Sequence, residues 1–526
     1  MWPNFSRRLI RLRRKSVEVL ASGYGSGLQR SFSCPDKLMS TTLRRFLVLV
    51  LIWIASTVFF LGLGADAQRP FIGFPLDDTW IHFSFARNLV QYDSFGLNPF
   101  EPSSGSTSPL WVALLAFLKI LGLPFEVSAL SMGIFFVFLT ALCVEKIVRL
   151  MTREERTGFY AAVLVLLSGR FLWGALSGME VALFSFLAAL GIYLHQKFSQ
   201  EGRMSVLPAL VFGLASLARP EGHLLFVLAF GELCIRDLRR WKQLLPGTLL
   251  YGLTYAIMVI PYLLFSWILT HRLFCSSYYS KMLFTWRMTA GPYLKEYIGF
   301  VFWDNPFLAP FLVSGLWECV RRRWGLISVW LVVFPLAASH VSPILIHHGR
   351  YIMPLVPFYS LVGFLGLRRI LHGNPFRVLL VLAIAWCLFS VGRWAGIYAA
   401  DSASIYGQHY RAALWLKEHT APQDAIATND IGVISYVSER PIVDICGIIK
   451  LNVLRVICSP APPEFRRHML WRYLAARHVK YLAYYPTWFP WINDRKCLKK
   501  VCEVRYPANT IAASDTMEVY RVLCTN

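Results

Sequence analysis

The chain is 526 residues long, 56% hydrophobic and 15% aromatic, with only 16% charged residues. Its mean hydropathy of +0.49 gives more apolar surface than one soluble core can hide, which excludes an ordinary soluble protein and leaves a multi-pass membrane protein. The formal net charge of +23 suits loops that fix membrane orientation and meet anionic lipid headgroups; no nucleic-acid motif accompanies it, so nucleic acid is excluded as a partner.

Residues 1–45 hold ten Lys or Arg against two acids, Glu18 and Asp36, among many Ser and Gly. They read as a basic, disordered cytoplasmic tail, with an organelle address and a start at Met39 as competing readings. The Gly23 to Gly27 run follows no strand pattern and reads as linker. Phe46 to Gly64 is the first crossing; Arg44 and Arg45 hold its start inside, which sends the loop 65–107 outside. That loop bears two adjacent carboxylates, Asp77 and Asp78, close to the membrane surface.

Apolar segments follow at 108–122, 126–145, 159–176, 179–195, 205–218, 222–235, 244–269, 305–319, 324–339, 351–369 and 376–396. With the first they predict about 10–13 crossings in a membrane domain over 46–396. The four basic residues of 145–156 break simple alternation. Either 108–122 does not cross, or one basic loop violates the orientation rule. Segments near 205–235 are short enough for broken or re-entrant helices.

From residue 397 the composition changes to that of a small soluble α/β domain, 397–526. Tyr410 to His419 has helical apolar spacing closed by Pro422, and 425–428, 433–437, 441–443 and 479–484 are β-rich runs bounded by turn residues. Of eleven cysteines, Cys143, Cys234, Cys319 and Cys387 read as buried small hydrophobes. Cys446, Cys458, Cys497, Cys502 and Cys524 fall in the terminal domain, where an oxidising compartment pairs four and leaves one; they lack the His partners and CxxC spacing of a zinc site.

The order Asp77-Asp78-x-Trp80-Ile81-His82, Ala86-Arg87-Asn88-Leu89, Asn98-Pro99, Glu101-Pro102 and Gly105-Ser106-Thr107-Ser108-Pro109-Leu110-Trp111 resembles the first external loop of bacterial GT-C glycosyltransferases. The nearest group looks like the one that includes the mycobacterial terminal arabinofuranosyltransferases. Further fragments recur in the expected order: Ser177 to Glu180, Ala218 to Gly222, Gly349 to Pro354, Asn429 to Gly432 and Asp444 to Gly447. The sequence departs in two places. Phe100 stands where a glycine is common, and Ser84-Phe85 where arabinosyltransferase members carry Arg-Tyr. The second departure means that the reaction class is carried over and the pentose is not.

The resemblance implies a GT-C-like, predominantly α-helical membrane protein in a bacterial plasma membrane, its active-site loop and terminal domain extracytoplasmic. Such enzymes move a sugar from a polyprenyl-phosphate donor to a glycan, lipid or protein acceptor, usually with inversion. A carboxylate accepts the proton of the attacking hydroxyl and cationic donors stabilise the departing phosphate. Asp77 or Asp78 suits the first role, or the two share a divalent cation; capping of the following helix is the plain alternative. Arg350 beside His348, with Arg219, suits the phosphate, against snorkelling or ion pairing with Glu221. His82, Arg87 and Glu180 are candidates for substrate contact, against structural roles. A transporter or flippase for lipid-linked saccharides, or an inactive assembly partner, is the competing class.

Overall fold

The computed structural model describes residues 35–64, 73–236, 241–285, 289–341, 345–492 and 497–524. Most of the basic tail and residues 65–72 of the first loop lie outside them. Six helices are long and apolar enough to cross a membrane: Thr41–Gly62, Phe125–Thr152, Val181–Gln200, Leu245–Thr270, Ile346–Ile370 and Gly373–His419. A seventh arises if Glu155–Leu166 and Gly169–Leu176, bent by 58°, form one broken span. The bend falls at Gly169, where a Cβ would strike the Ser390 carbonyl.

Other apolar stretches form short helices. Pro109–Ile120 has 12 residues, about 18 Å at 1.5 Å per residue, against a hydrocarbon core of about 30 Å. At that length it is too short to cross unaided. Phe125, opening the next helix, stacks on Phe83 of the helix Asp78–Tyr92 with centroids 5.7 Å apart. Both therefore lie at the same end of the molecule. The 28 residues of Phe125–Thr152 then carry the basic stretch 145–156 about 40 Å away, to the opposite end.

Helix Gly373–Ile405 does not stop at residue 397. It runs through a π turn at Tyr406–Tyr410 into Arg411–His419. The terminal domain then builds a five-stranded sheet of order β2-β1-β3-β5-β4, with β1 Ala425–Thr428, β2 Ile442–Asp444, β3 Val479–Tyr484, β4 Leu498–Arg505 and β5 Thr516–Val522. β1 pairs in parallel with β2 and β3, whereas β5 pairs antiparallel with β3 and β4. Helix Pro463–Ala475 covers the sheet through Leu470 and Leu474, which join Val453, Leu482 and Ile492 in its core.

Two expectations change here. Residues 433–437 form part of a helix, Ile431–Ser438, because tertiary partners at both of its ends override the β-branched composition. Among the described residues one disulfide forms, Cys497–Cys524, with Cα atoms 4.8 Å apart across the β4–β5 ends; Cys446, Cys458 and Cys502 are free.

Phe100 adopts φ 57° and is 76% exposed, so the residue at the common glycine position bears left-handed strain without compensating burial. Phe100→Gly should raise stability by roughly 0.5–1 kcal/mol. Thermal unfolding in detergent checks this, with Phe100→Ala giving no gain.

Candidate active site

The first loop folds into helix Asp78–Tyr92. Asp77 occupies its N-cap position but makes no side-chain capping bond there. Its carboxylate instead accepts the backbone N–H groups of Gly432 and Val433, both at 2.8 Å. Asp77 thus caps a different helix, Ile431–Ser438 of the terminal domain. At the other end of that helix Arg87 donates to the carbonyls of Tyr436 at 2.9 Å and Ser435 at 3.4 Å, and Ser84 bonds Ser435 at 2.8 Å. An anion at the N-terminus and a cation at the C-terminus both complement the helix dipole. The short helix is clamped along its whole length by one face of the loop helix.

Burial first, then the neighbouring Asp430 charge, push the Asp77 carboxyl up to about 7, against the pull of His409 and the two amides. Asp430 itself bonds His409 Nε2 at 2.7 Å, and the Tyr485 hydroxyl meets the same nitrogen at 2.9 Å. The π turn aims His409 there, a common use of such turns. Gly432 is required at the clamp, because a Cβ would collide with the Asp77 backbone carbonyl.

Asp78 has separate partners. Arg350 forms an ion pair with it and donates to the Tyr351 hydroxyl at 2.9 Å. Lys281 Nζ lies 4.7 Å from the Tyr351 ring centroid. Burial alone would raise the Asp78 carboxyl, but Arg350, Lys281 and His347 outweigh it and hold it well below the usual range. From the same helix, His82 Nε2 stands 3.5 Å from Glu180 Oε2. Glu180 Oε1 accepts from Arg219 at 2.8 Å, and Arg219 also pairs with Glu221 at 2.8 Å. The Arg219 guanidinium lies 5.9 Å from the Tyr351 ring, which closes a ring of polar groups around Asp78.

Several atoms of this ring are buried without a hydrogen-bond partner among the described residues: Arg350 Nε and Nη1, His347 Nδ1, His82 Nδ1 and Glu180 Oε2. Buried polar groups are normally paired, and a concentration of unpaired ones marks a place where a polar ligand completes the bonding. Burial lowers the His82 pKa, leaving a neutral imidazole with one donor and one acceptor.

The cluster is held from outside. His347, His348 and Gly349 take φ values of 51°, 58° and 69°, a left-handed turn that aims Arg350 at Asp78. Strain of this kind costs about 1–3 kcal/mol per non-glycine residue and persists where surroundings impose it. Here Arg170 donates to the His348 carbonyl at 3.2 Å while gripping Asp304 at 2.6 Å. His348 Nε2 bonds Asp401 at 2.9 Å. On the other side Thr79 donates to Ser177 O at 2.6 Å and Trp111 to Gly178 O at 3.1 Å, fixing the turn that carries Glu180.

Of the sequence candidates, the structure brings Asp78, His82, Glu180, Arg219 and Arg350 together. It does not bring in Arg87, committed to the terminal-domain helix, or His348, turned to Asp401. Asp77 and Asp78 do not fit a shared divalent cation. Both Asp77 oxygens accept backbone amides, Asp78 faces Arg350 and Lys281, and no group of three or more His, Cys, Asp or Glu converges among the described residues. Lys281 escaped the sequence reading, and Tyr351 entered it only as part of the Gly349 to Pro354 fragment, without a role. Lys281 is the sole charge in helix Ser276–Thr285, a signal that a charge-by-helix scan registers.

A sequence family described as a domain of unknown function (DUF8728) matches residues 400–520, which is the terminal domain. No curated protein matches the sequence. In structure the chain is similar to ArnT from Cupriavidus metallidurans bound to undecaprenyl phosphate, with TM-score 0.59 and 12% identity over 92% of this chain and 98% of that one. It is similar to the apo state of the same protein, with TM-score 0.59 and 10% identity over 92% and 98%. The Archaeoglobus fulgidus oligosaccharyltransferase, in complex with Zn and sulfate, aligns with TM-score 0.58 and 14% identity over 88% of this chain and 73% of that one. The chain has the GT-C fold.

Proposed function

We propose that this GT-C-fold membrane protein is a glycosyltransferase that moves a sugar from a polyprenyl-phosphate donor to an acceptor hydroxyl, with inversion at the anomeric carbon. The observation that carries the reading is the Asp78–Arg350 pair, with Lys281 and Tyr351 beside it and Arg350 nitrogens left unpaired. Asp78 is the counter-ion of Arg350. A donor phosphate competes for Arg350 and Lys281, which bind it as charge-assisted donors. Asp78 then loses its cationic neighbours, its basicity rises, and the carboxylate is free to accept a proton.

In the transfer, the acceptor oxygen attacks the anomeric carbon as its proton passes to Asp78. The bond from that carbon to the phosphate oxygen breaks, and polyprenyl phosphate leaves with the electron pair, stabilised by Arg350 and Lys281. His82 and Glu180 supply the neutral and anionic hydrogen-bonding groups that hold sugar hydroxyls, with Arg219 fixing Glu180. The likeness to a structure of ArnT bound to undecaprenyl phosphate supports a lipid-linked donor.

The terminal domain and first loop take the extracytoplasmic side in this proposal. Support comes from the Cys497–Cys524 disulfide, expected in an oxidising compartment, and from the basic stretch 145–156 at the opposite end. The test is transfer by purified protein in liposomes, offering a panel of polyprenyl-phosphate sugars. Consumption of one donor that ceases in Arg350→Ala names the sugar and upholds the reading; binding of a lipid carrier without consumption of any donor overturns it in favour of transport.

A further inference from the structure

At the end of the molecule away from Asp78, three helices converge on a polar cleft of about 250 Å³. Leu312–Arg321 contributes Arg321, followed at once by Arg322; Val356–Ile370 contributes Arg368 and Arg369; and Phe125–Thr152 contributes Thr152. Arg350 precedes Val356–Ile370 and Arg369 closes it. The cleft therefore lies roughly one hydrocarbon thickness, about 30 Å, from the candidate active site.

The cations here are built into place. Glu318 is 4% exposed and is shared by three guanidiniums: it accepts from Arg321 at 2.6 Å and Arg369 at 3.2 Å, and also from Arg322. Arg322 is further tied to the Met151 carbonyl, and Arg368 to Glu154 and to Thr157 at 2.8 Å. One carboxylate against three guanidiniums leaves two positive charges uncompensated at the cleft. Loop cations that serve only to orient a helix need no such framework. A buried acid that holds several arginine forks in fixed directions lowers the ordering cost of binding an anion.

We propose that this cleft binds a phosphate group, as a second ligand site separate from the transfer centre. Two sources share that chemistry: the headgroup of an anionic phospholipid in the adjacent leaflet, or a soluble phosphate. Guanidinium forks match phosphate oxygens in pairs, and the two uncompensated charges suit a mono- or dianion.

The experiment uses the full-length protein. Native mass spectrometry counts phosphatidylglycerol retained from nanodiscs that also hold phosphatidylcholine, and thermal unfolding in detergent compares inorganic phosphate with chloride at matched ionic strength. Retention of phosphatidylglycerol that falls about thirtyfold in Arg321→Ala/Arg369→Ala identifies a lipid headgroup, since each of the two basic contacts to an anionic lipid is worth about 1 kcal/mol. Stabilisation by phosphate that the same variant abolishes identifies a soluble ligand. Arg153→Ala/Arg156→Ala, on the same basic end, should leave both readouts unchanged. Equal losses in the two double variants would reduce the effect to diffuse surface charge and overturn the site, as would indifference to both probes. Arg321→Ala alone, at a side chain 56% exposed, keeps the test available if the double variant fails to fold.

Discussion

In the proposed reaction Asp78→Asn should leave the protein folded and lower sugar transfer by about 10²–10⁴, the range that a positioned general base contributes. The substitution keeps shape and removes charge, so its effects on rate and on binding separate. Arg350 loses its resident counter-ion and becomes more available to a donor phosphate; the affinity for donor holds or improves while kcat collapses. Arg350→Ala gives the converse, a loss of donor binding together with rate. Arg350→Lys does not restore it, because a point charge cannot serve Asp78, Tyr351 and a phosphate from one plane. Titration with donor and single-turnover transfer measure the two quantities separately. A rate near wild type in Asp78→Asn removes this carboxylate from the chemistry.

Asp77→Asn behaves differently although the residue is adjacent. An amide accepts from one of the two amides at Gly432 and Val433 and opposes the other with its own donor, which costs about 1–2 kcal/mol of docking. Hydrogen exchange of the peptide 431–438 should accelerate, and transfer should fall far less than in Asp78→Asn. The pH dependence adds a signature. The folded carboxyl sits at about 7, above a free aspartate at about 3.9, so between these values the docked state binds more protons than the undocked one. Its contribution is complete below about pH 4 and is lost as pH rises to about 7. Wild-type exchange in 431–438 should therefore quicken over that window, and Asp77→Asn should flatten the profile. A slope that survives the substitution assigns the titration to another group.

The members of the first-loop motif divide between two sets of partners. Asp78 and His82 face the polar ring. Asp77 and Arg87 hold the terminal helix, Asn88 donates to Gly96 and Leu97 carbonyls, and Asn98 exchanges two 2.9 Å bonds with the Ile442 backbone. These partners lie as far as 356 residues away in sequence, and no local pattern announces a side chain that caps a helix it does not belong to. Hydropathy located the apolar segments but not their lengths as helices, so whether a short one such as Pro109–Ile120 crosses stayed open until its 12-residue length was seen. Residues 433–437 read as strand because β-branched side chains suit a pleated, half-buried surface; the Asp77 and Arg87 clamp that decides otherwise is tertiary. Lys281 lies outside any motif, and Tyr351, though inside the Gly349 to Pro354 fragment, becomes meaningful only beside Arg350.

The clamp also orders events during biosynthesis. Asp77 reaches the membrane early, whereas its partners at 432 and 433 emerge 355 and 356 residues later, roughly 20–70 s at cellular elongation speeds. Throughout that interval the first loop lacks the partner that holds its helix, while the nascent chain already carries Asp78. The helix that carries Asp78 is held through this clamp only once the last fifth of the polypeptide has emerged and folded against it.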